Sequence, residues 1–262
     1  MRLRRALWRY ALPAGAGNSY NTGVTVVEIA VQDAAGVRAA FASGADRVEL
    51  VQALSTGGLT PSAGMVDAAI AACGGDGARI CVLVRPRPGG FVYTAEEAAV
   101  VWDDIRRLVQ QGVGGVVIGA LTRDGAADVN VIKRWQEAAG EKEFVFHRAI
   151  DAAADPDAVF DTLLDLGVHR VLTSGGAHRT IDGVPRLTSV VQRAGTAMQV
   201  MAGGGLSVGD IVAVRATGIH AVHLSARTTA SDDAPSGPGG GVAGYDITDA
   251  DTVLAAVAAA RQ

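Results

Sequence analysis

GADRVEL, at residues Gly44–Leu50, reads as a glycine that ends one helix, a short turn, and the strand that follows. The same pattern returns three times further along the chain. It stands as GVGGVVI at Gly112–Ile118, as GVHRVLT at Gly167–Thr173 and as GIHAVHL at Gly218–Leu224. A helix-to-strand junction that recurs in this way indicates a chain built from repeated strand–helix units.

Outward from these junctions, β-branched runs alternate with Ala-rich stretches of helical spacing. The eight predicted strands are Val24–Val31, Arg47–Val51, Ile80–Pro86, Gly115–Leu121, Glu143–Ala149, Arg170–Ser174, Ala197–Gly203 and His220–Ala226. The eight predicted helices are Asp33–Ser43, Pro61–Cys73, Ala95–Gln111, Asp128–Ala139, Asp155–Leu166, Val184–Ala194, Ser207–Thr217 and Asp249–Ala260. This order predicts an α/β fold, the TIM (β/α)8 barrel. The competing architecture, an open doubly wound sheet, usually has a glycine-rich turn after its first strand, and this chain has none there.

The composition fits one large barrel domain. The chain has 262 residues, of which 49% are hydrophobic and 19% charged, and this is enough for a sizeable core. We therefore predict a single domain over residues 24–262, preceded by a flexible leader over residues 1–23. The low-complexity stretch over residues 227–245 predicts a long mobile loop at the barrel rim.

Several kinds of partner are disfavoured by the same counts. A net charge of −4 and an aromatic content of 5% argue against a nucleic-acid partner. No apolar run is long enough for a membrane-spanning helix, so we expect no membrane partner. Cys73 and Cys81 cannot build a disulfide framework, and we expect both to be packing residues. No histidine pair has a metal-ligand spacing, so the residues predict no metal site.

Charged and imidazole side chains interrupt strands that are otherwise apolar. They are Glu28, Glu49, Arg85, His147 and His223. The active site of a TIM barrel lies at the carboxyl ends of its strands, so these side chains are the predicted catalytic residues. Side chains alternate along a strand, which predicts that Glu49 and His223 face the barrel interior, and the same parity favours His147 over Arg148.

Two interpretations of this cluster stay open. Buried charges are costly unless they are paired, so the cluster could be a structural layer of ion pairs that plugs the barrel. It could instead be a polar pocket for a small anionic or hydroxylated ligand, with acid–base chemistry as a narrower case. In that case we expect Glu49 to be the base, His147 an acid or electrophile, and Arg85 an anion clamp.

Two glycine-rich turns form a second candidate site. TSGGAH, at Thr173–His178, follows the sixth strand, and MAGGGLS, at Met201–Ser207, follows the seventh. Backbone N–H groups in such turns can approach an anion closely, and barrels often bind phosphate in their late loops. The predicted cofactor- or phosphate-binding residues are Ser174, Gly175, Gly203, Gly204 and Gly205. The alternative is that these glycines serve only the tight turns.

Seven motifs occur in a fixed order along the chain. They are GADRVEL…GGLTPSAG (Gly44–Gly64), VRPRPGGFVY (Val84–Tyr93), HRAID (His147–Asp151), RVLTSGGA (Arg170–Ala177), VMAGGG (Val200–Gly205), VHLSAR (Val222–Arg227) and YDITDAD (Tyr245–Asp251). Together they resemble the CutC, or copper homeostasis, family. The resemblance runs from about Val26 to the last helix and leaves out the leader.

The resemblance implies a cytoplasmic TIM barrel that assembles as a homodimer or homotetramer. It also implies copper handling, with Cu(I) attributed to two family cysteines, one after the first-strand glutamate and one after the second-strand Glu-Leu pair. Ala30 and Val51 occupy those positions in this chain, and Gly90 replaces an acidic residue of the family. The implied copper therefore lacks its family thiolates here, and a small anionic ligand is the alternative partner.

Three functions follow from these observations. The first is a copper homeostasis protein of the CutC type. The second is a TIM-barrel lyase or isomerase that acts on a small phosphorylated or carboxylated metabolite. The third is a non-catalytic scaffold whose oligomer interface is its function.

Overall fold

A computed structural model describes residues 24–231 and 244–262 of the chain. Eight parallel strands are hydrogen-bonded in chain order, and the eighth pairs with the first to close a barrel. They are β1 (Val26–Val31), β2 (Arg47–Leu50), β3 (Ile80–Leu83), β4 (Gly115–Ile118), β5 (Glu143–Phe146), β6 (Arg170–Thr173), β7 (Gln199–Gly203) and β8 (Ala221–Leu224). The predicted α/β barrel is confirmed. The predicted leader over residues 1–23 lies outside the described residues.

Helices follow the strands and cover the outside of the barrel. They are α1 (Ala34–Ala42), α2 (Ala63–Ala72), α3 (Ala95–Gln111), α4 (Val129–Ala139), α5 (Pro156–Asp165), α6 (Val184–Ala194), α7 (Ile211–Arg215) and α8 (Ala250–Arg261). Two of them begin at clear capping residues. Thr94 and Glu97 form a reciprocal capping box at α3, and Asp155 caps α5 just before Pro156.

Several predicted strands are a few residues too long, and two further predictions are wrong in their extent. The predicted helix Ser207–Thr217 is only the five-residue α7, because Ser207 and Asp210 close a tight 3₁₀ turn in front of it. The predicted loop over residues 227–245 begins and ends in strands, since β9 (Arg227–Ala230) pairs antiparallel with β10 (Tyr245–Thr248). The Arg227–Asp246 ion pair, at 2.6 Å, also joins the two strands. Residues 232–243, the middle of that loop, lie outside the described residues.

The main core lies between the barrel and its helices. Alternate residues of each strand point outward into it, such as Val48 and Leu50 of β2, which are fully buried. Burial of each such side chain contributes about 1.5–3 kcal/mol to folding. A smaller apolar cluster fills part of the barrel interior and includes Cys81, Val117 and Val145. A second interior cluster contains Leu172, Met201 and Ala221. Polar residues occupy further inward positions, and some of them form the candidate site.

Candidate functional site

A cavity of about 280 Å³ opens at the carboxyl ends of the barrel strands. We call it the mouth cavity. Four of the predicted catalytic residues, Glu49, Arg85, His147 and His223, line it. Its other lining residues are Ala30, Val51, Leu54, Gly57, Leu83, Phe91, Arg148, Leu172, Gly204, Gly205, Leu206, Leu224 and Ser225. The residues that sequence parity places inside β2 and β8 therefore meet in one pocket.

Glu28, the fifth predicted catalytic residue, lies beneath the mouth cavity and is not part of its lining. Its side chain is fully buried and forms an ion pair with Arg47, the residue opposite it on β2. A second interior ion pair joins Arg170 to Glu143, at 2.7 Å. The barrel thus contains both features that the sequence left open, an ion-pair layer below and a polar pocket above.

Glu28 and Glu49 lie on either side of the His223 ring. His223 Nδ1 is 2.8 Å from Oε1 of Glu28, and its Nε2 is 3.5 Å from Oε2 of Glu49. The parallel pairing of β1 with β2 and with β8 produces this arrangement, because it sets Glu28 opposite both Arg47 and His223. The three side chains form a continuous path from the ion-pair layer to the mouth cavity.

The two carboxyl groups have opposite pKa shifts. Burial alone would raise the pKa of Glu28, but the charge of Arg47 and the hydrogen bond from His223 outweigh it and hold that pKa well below its usual range. Burial raises the pKa of Glu49 to about 7, and the negative charge of Glu28 adds to the rise. Burial disfavours the charged form of His223, yet its hydrogen bond to Glu28 and the charge of Glu49 raise its pKa. Glu49 is therefore the residue suited to exchange a proton near neutral pH.

His147 is held as a neutral ring. The backbone N–H of Ala149 donates to its Nδ1 at 3.1 Å, so the ring proton lies on Nε2. Burial, assisted by the nearby charge of Arg85, lowers the pKa of His147 to about 3. Gly119 packs directly against the ring, because a Cβ there would lie 2.3 Å from Cε1 of His147. His147 is thus a fixed hydrogen-bond donor rather than a group that titrates near pH 7.

Arg85 is pinned by backbone carbonyls. Its Nη1 donates to the oxygens of Gly57 and Gly58, at 3.1 and 3.2 Å, and its Nη2 donates to Gly89 at 2.6 Å. The guanidinium also lies over the Phe91 ring, 5.1 Å from its centroid. Only 7% of the residue is exposed. This rigid mounting suits the predicted anion clamp.

Arg148 also lines the mouth cavity. The prediction from side-chain alternation that it points away from the barrel interior is therefore wrong. Strand alternation stops at His147, since residues Arg148–Ala152 form a 3₁₀ turn. Asp151 accepts a hydrogen bond from Nε of Arg148 at 2.8 Å, and Arg148 packs over Gly204. The HRAID motif could have predicted the position of Arg148. It places this positively charged residue and its carboxylate partner, Asp151, directly after a strand end.

The predicted anion-binding residues separate into two groups. Gly204 and Gly205 line the mouth cavity, whereas Gly203 is buried at the end of β7. Ser174 is buried and bonded to Asp151, and the N–H of Gly175 donates to Thr173 at 2.9 Å. Only the turn after β7 therefore faces the cavity, and phosphate binding there stays a prediction.

Thiols do not reach the mouth cavity in the described part of the chain. Cys81 is buried low on β3, and burial raises the pKa of its thiol, while Cys73 caps the end of α2. Ala30 and Val51, the two positions of the implied family cysteines, both line the cavity. Among residues 24–231 and 244–262, no three His, Cys, Asp or Glu side chains form a group that could hold a metal ion.

Helices that could cross a membrane are absent from the two described ranges, because none there is both long and apolar enough.

Sequence comparison links the chain to proteins of one family. Residues 25–228 match the model of the CutC family. A CutC family protein of Xanthomonas axonopodis pv. citri (strain 306) is 41% identical over 213 residues, which are 80% of this chain and 87% of the relative. One of Xylella fastidiosa (strain Temecula1) is 37% identical over 256 residues, covering 95% of this chain and 90% of the relative.

Structure comparison gives the same link. The crystal structure of a protein from Streptococcus agalactiae, provisionally named a copper homeostasis protein CutC, superposes with a TM-score of 0.72. The two chains are 28% identical, and the match covers 77% of this chain and 98% of the other.

Proposed function

The chain belongs to the CutC family, and from that membership we propose that it takes part in copper homeostasis, the process for which its solved relative from Streptococcus agalactiae is named. The observation that carries the proposal is the family match over residues 25–228, which spans all eight barrel strands. We also propose a cytoplasmic homodimer or homotetramer, as the family resemblance implies. Light scattering on the purified protein measures the oligomer size.

Copper tolerance tests this role directly. Deletion of the gene from its host should reduce growth on elevated copper, and the wild-type chain should restore it. A variant of an exposed helix residue, Asp103→Asn, should restore growth equally well. If the deletion strain tolerates copper as well as its parent, the proposal fails.

The donor set of the mouth cavity does not fit Cu(I) bound by thiolates. Cu(I) prefers soft sulfur ligands, and the cavity presents carboxylate, guanidinium and imidazole groups beside Ala30 and Val51. We therefore expect the wild-type chain to bind Cu(I) no tighter than a Cys73→Ser, Cys81→Ser double variant. An Ala30→Cys, Val51→Cys double variant should gain affinity in the same competition titration. Tight binding by the wild type that survives loss of both native thiols would contradict this assignment.

A second candidate function is a lyase or isomerase that acts on a small carboxylated or phosphorylated metabolite. One observation favours it: His223 lies between Glu28 and Glu49, at 2.8 and 3.5 Å, in the wall of a cavity that also contains a buried arginine. Glu49, with a pKa raised to about 7, would take and return a proton. Glu28 and His223 would act as positioning residues that tune it.

In this second function Arg85 and Arg148 would hold the anionic part of the ligand. Both line the cavity, and each is mounted by hydrogen bonds that fix its guanidinium. A volume of about 280 Å³ limits the ligand to a small metabolite. Hydrogen–deuterium exchange of small 2-oxo and hydroxy acids in D2O, followed by NMR, is the test. The wild type should catalyse exchange and Glu49→Gln should abolish it; exchange that is equal in both would remove Glu49 as the base.

A further inference from the structure

Arg148 keeps one nitrogen of its guanidinium available to the mouth cavity. Its Nε donates to Asp151 at 2.8 Å, and its Nη2 donates to Ser174 at 3.1 Å. Its Nη1 has no hydrogen-bond partner among the described residues and is not fully buried, and 40% of the side chain is exposed. Arg148 is thus held in place on one side while Nη1 can still bind a molecule in the cavity.

The glycine turn after β7 has an unpaired N–H next to Arg148. The carbonyl oxygen of Gly204 accepts hydrogen bonds from the N–H and the hydroxyl of Thr180, at 2.9 and 2.8 Å. The next peptide bond is trans and planar, so the N–H of Gly205 points away from Thr180. This N–H has no acceptor within residues 24–231 and 244–262, and Gly205 is an exposed residue of the cavity lining. Such a backbone N–H can approach an anion closely.

Ser225 adds two donors from the end of β8. Gly203 and His223 are opposite each other where β7 pairs with β8, so we expect Gly205 and Ser225, each two residues later, to lie close together. Ser225 is half-buried and lines the cavity. Neither its N–H nor its hydroxyl donates to another residue in the described part of the chain. The turns after β5, β7 and β8 therefore each bring an unpaired donor to the cavity.

The charge and the number of these donors suit a phosphate group. Arg85 and Arg148 line the cavity, and Glu49 is the only carboxylate among its described lining residues, so the lining favours an anion. A phosphate group has three strong acceptor oxygens, whereas a carboxylate has two oxygens in one plane. Donors that come from three separate turns can each meet a different oxygen of a tetrahedral phosphate. Arginine and backbone N–H groups are also common partners of phosphate.

From this arrangement we propose that Arg148, Gly205 and Ser225 bind the phosphate group of a small phosphorylated metabolite. The inference rests on the second proposed function and selects the phosphorylated one of its two substrate classes. Ser225 follows His223 by two residues, which is about 7 Å along an extended chain. Nε2 of His223 is 3.5 Å from Glu49. A phosphate at Ser225 therefore places the next few carbon atoms of the ligand beside the proton-exchanging carboxyl.

The test is calorimetric titration of the purified chain with glycerol 3-phosphate, glycerol, acetate and inorganic phosphate. We expect glycerol 3-phosphate to bind at least about tenfold tighter than glycerol or acetate, and inorganic phosphate to compete with it. Arg148→Gln should weaken the binding of glycerol 3-phosphate about tenfold, and Ser225→Ala about threefold. Arg179→Gln is the control and should bind as the wild type does. Arg179 lies beside Gly205 but pairs with Asp210 outside the cavity lining.

Gly204→Ala tests the same subsite without removing a donor. A Cβ at Gly204 would lie 2.4 Å from Cζ of Arg148, so it should displace the guanidinium and weaken binding about tenfold. Gly112→Ala is the matched control, because Gly112 also has a positive φ but nothing lies within 4 Å of the added methyl group. Circular dichroism of each variant shows whether it is folded. If Arg148→Gln does not fold, Ser225→Ala and Gly204→Ala carry the test.

Several results would overturn the proposal. They are equal binding of glycerol 3-phosphate and glycerol, equally tight binding of acetate, binding of inorganic phosphate but not of its ester, and no binding of any probe. Wild-type affinity in the folded Arg148 and Ser225 variants, or an equal loss in Arg179→Gln, would also overturn it. The titration needs no turnover, so the subsite stands if the Glu49 exchange test fails. Proton exchange without phosphate-dependent binding would remove the subsite alone.

Discussion

His223 and Glu28 lie 195 residues apart in the chain, yet Nδ1 of the one is 2.8 Å from Oε1 of the other. Closure of the barrel brings them together, since β8 pairs with β1 and sets the two residues opposite each other. Glu28 is ionised through Arg47, so Nδ1 of His223 must carry a proton to meet it. This single contact links the ion-pair layer to the mouth cavity.

Glu28→Gln should lower the pKa of His223, because the ring loses the hydrogen bond and the charge of Glu28, and only the charge of Glu49 still opposes the effect of burial. The variant should also lose about 3 kcal/mol of unfolding free energy, since Arg47 is left unpaired. NMR titration and chemical denaturation measure the two effects. Glu143→Gln is the control, because it breaks the Arg170 pair in the same barrel interior and leaves the His223–Glu28 contact in place. An unchanged His223 pKa in Glu28→Gln would show that the contact does not set its protonation.

Glu49→Gln should be more stable than the wild type above neutral pH. The folded carboxyl keeps its proton up to about pH 7, whereas the unfolded one releases it from its ordinary value of 4.5. The folded state therefore binds more protons between these values, and wild-type stability falls as pH rises through them. The amide does not titrate, so its advantage should grow by about 3 kcal/mol as the pH rises from 4.5 to 7 and should then level off. Denaturation curves at several pH values check this, with exposed Asp103→Asn as the control; a pH-independent difference would be inconsistent with a raised Glu49 pKa.

Gly119→Ala should displace His147. A Cβ at this position would lie 2.3 Å from Cε1 and 2.5 Å from Nδ1 of the ring, and the packed interior leaves little room for it to move. We expect a loss of about 2 kcal/mol in unfolding free energy and a changed His147 imidazole signal. Gly64→Ala is the matched control, because nothing lies within 4 Å of its added methyl group and it sits in helix α2. Equal stability of the two variants would argue against close packing at Gly119.

Asp151→Asn should release Arg148 from its place beside Gly204. Asp151 accepts hydrogen bonds from Nε of Arg148 at 2.8 Å, from Oγ1 of Thr173 at 2.5 Å and from the N–H of Ser174 at 3.0 Å. In Asp151→Asn, an NH₂ group replaces one of these oxygens and cannot accept a hydrogen bond from the surrounding donors. We therefore expect a loss of about 2 kcal/mol in unfolding free energy. Asp124→Asn, which touches the exposed Thr122, should change stability little. Comparison of the denaturation midpoints of the two variants tests this prediction. If Asp151→Asn is as stable as the wild type, the Asp151 carboxylate does not hold Arg148 in place.

The sequence predicts a helix or strand well where the residues at its two ends carry clear start and stop signals. Helix α3 is predicted to the residue because Thr94 caps it and Gly112 ends it in a left-handed conformation. The prediction for α7 is too long because apolar spacing continues through residues that instead form a 3₁₀ turn. The prediction that Arg148 points away from the cavity is wrong for a similar reason. The alternation of side chains does not continue beyond the end of the strand.

By itself, the sequence determined the eight-unit barrel, its outward and inward faces, and six of the residues that line its cavity, because periodicity and helix punctuation act over a few residues at a time. Only the tertiary structure decided that Glu28 is a buried partner of His223 and that Glu49 has a pKa near neutrality. Those properties depend on burial depth and on charges from strands β1, β2 and β8, and β8, which is far from the other two in the sequence, meets β1 only when the barrel closes.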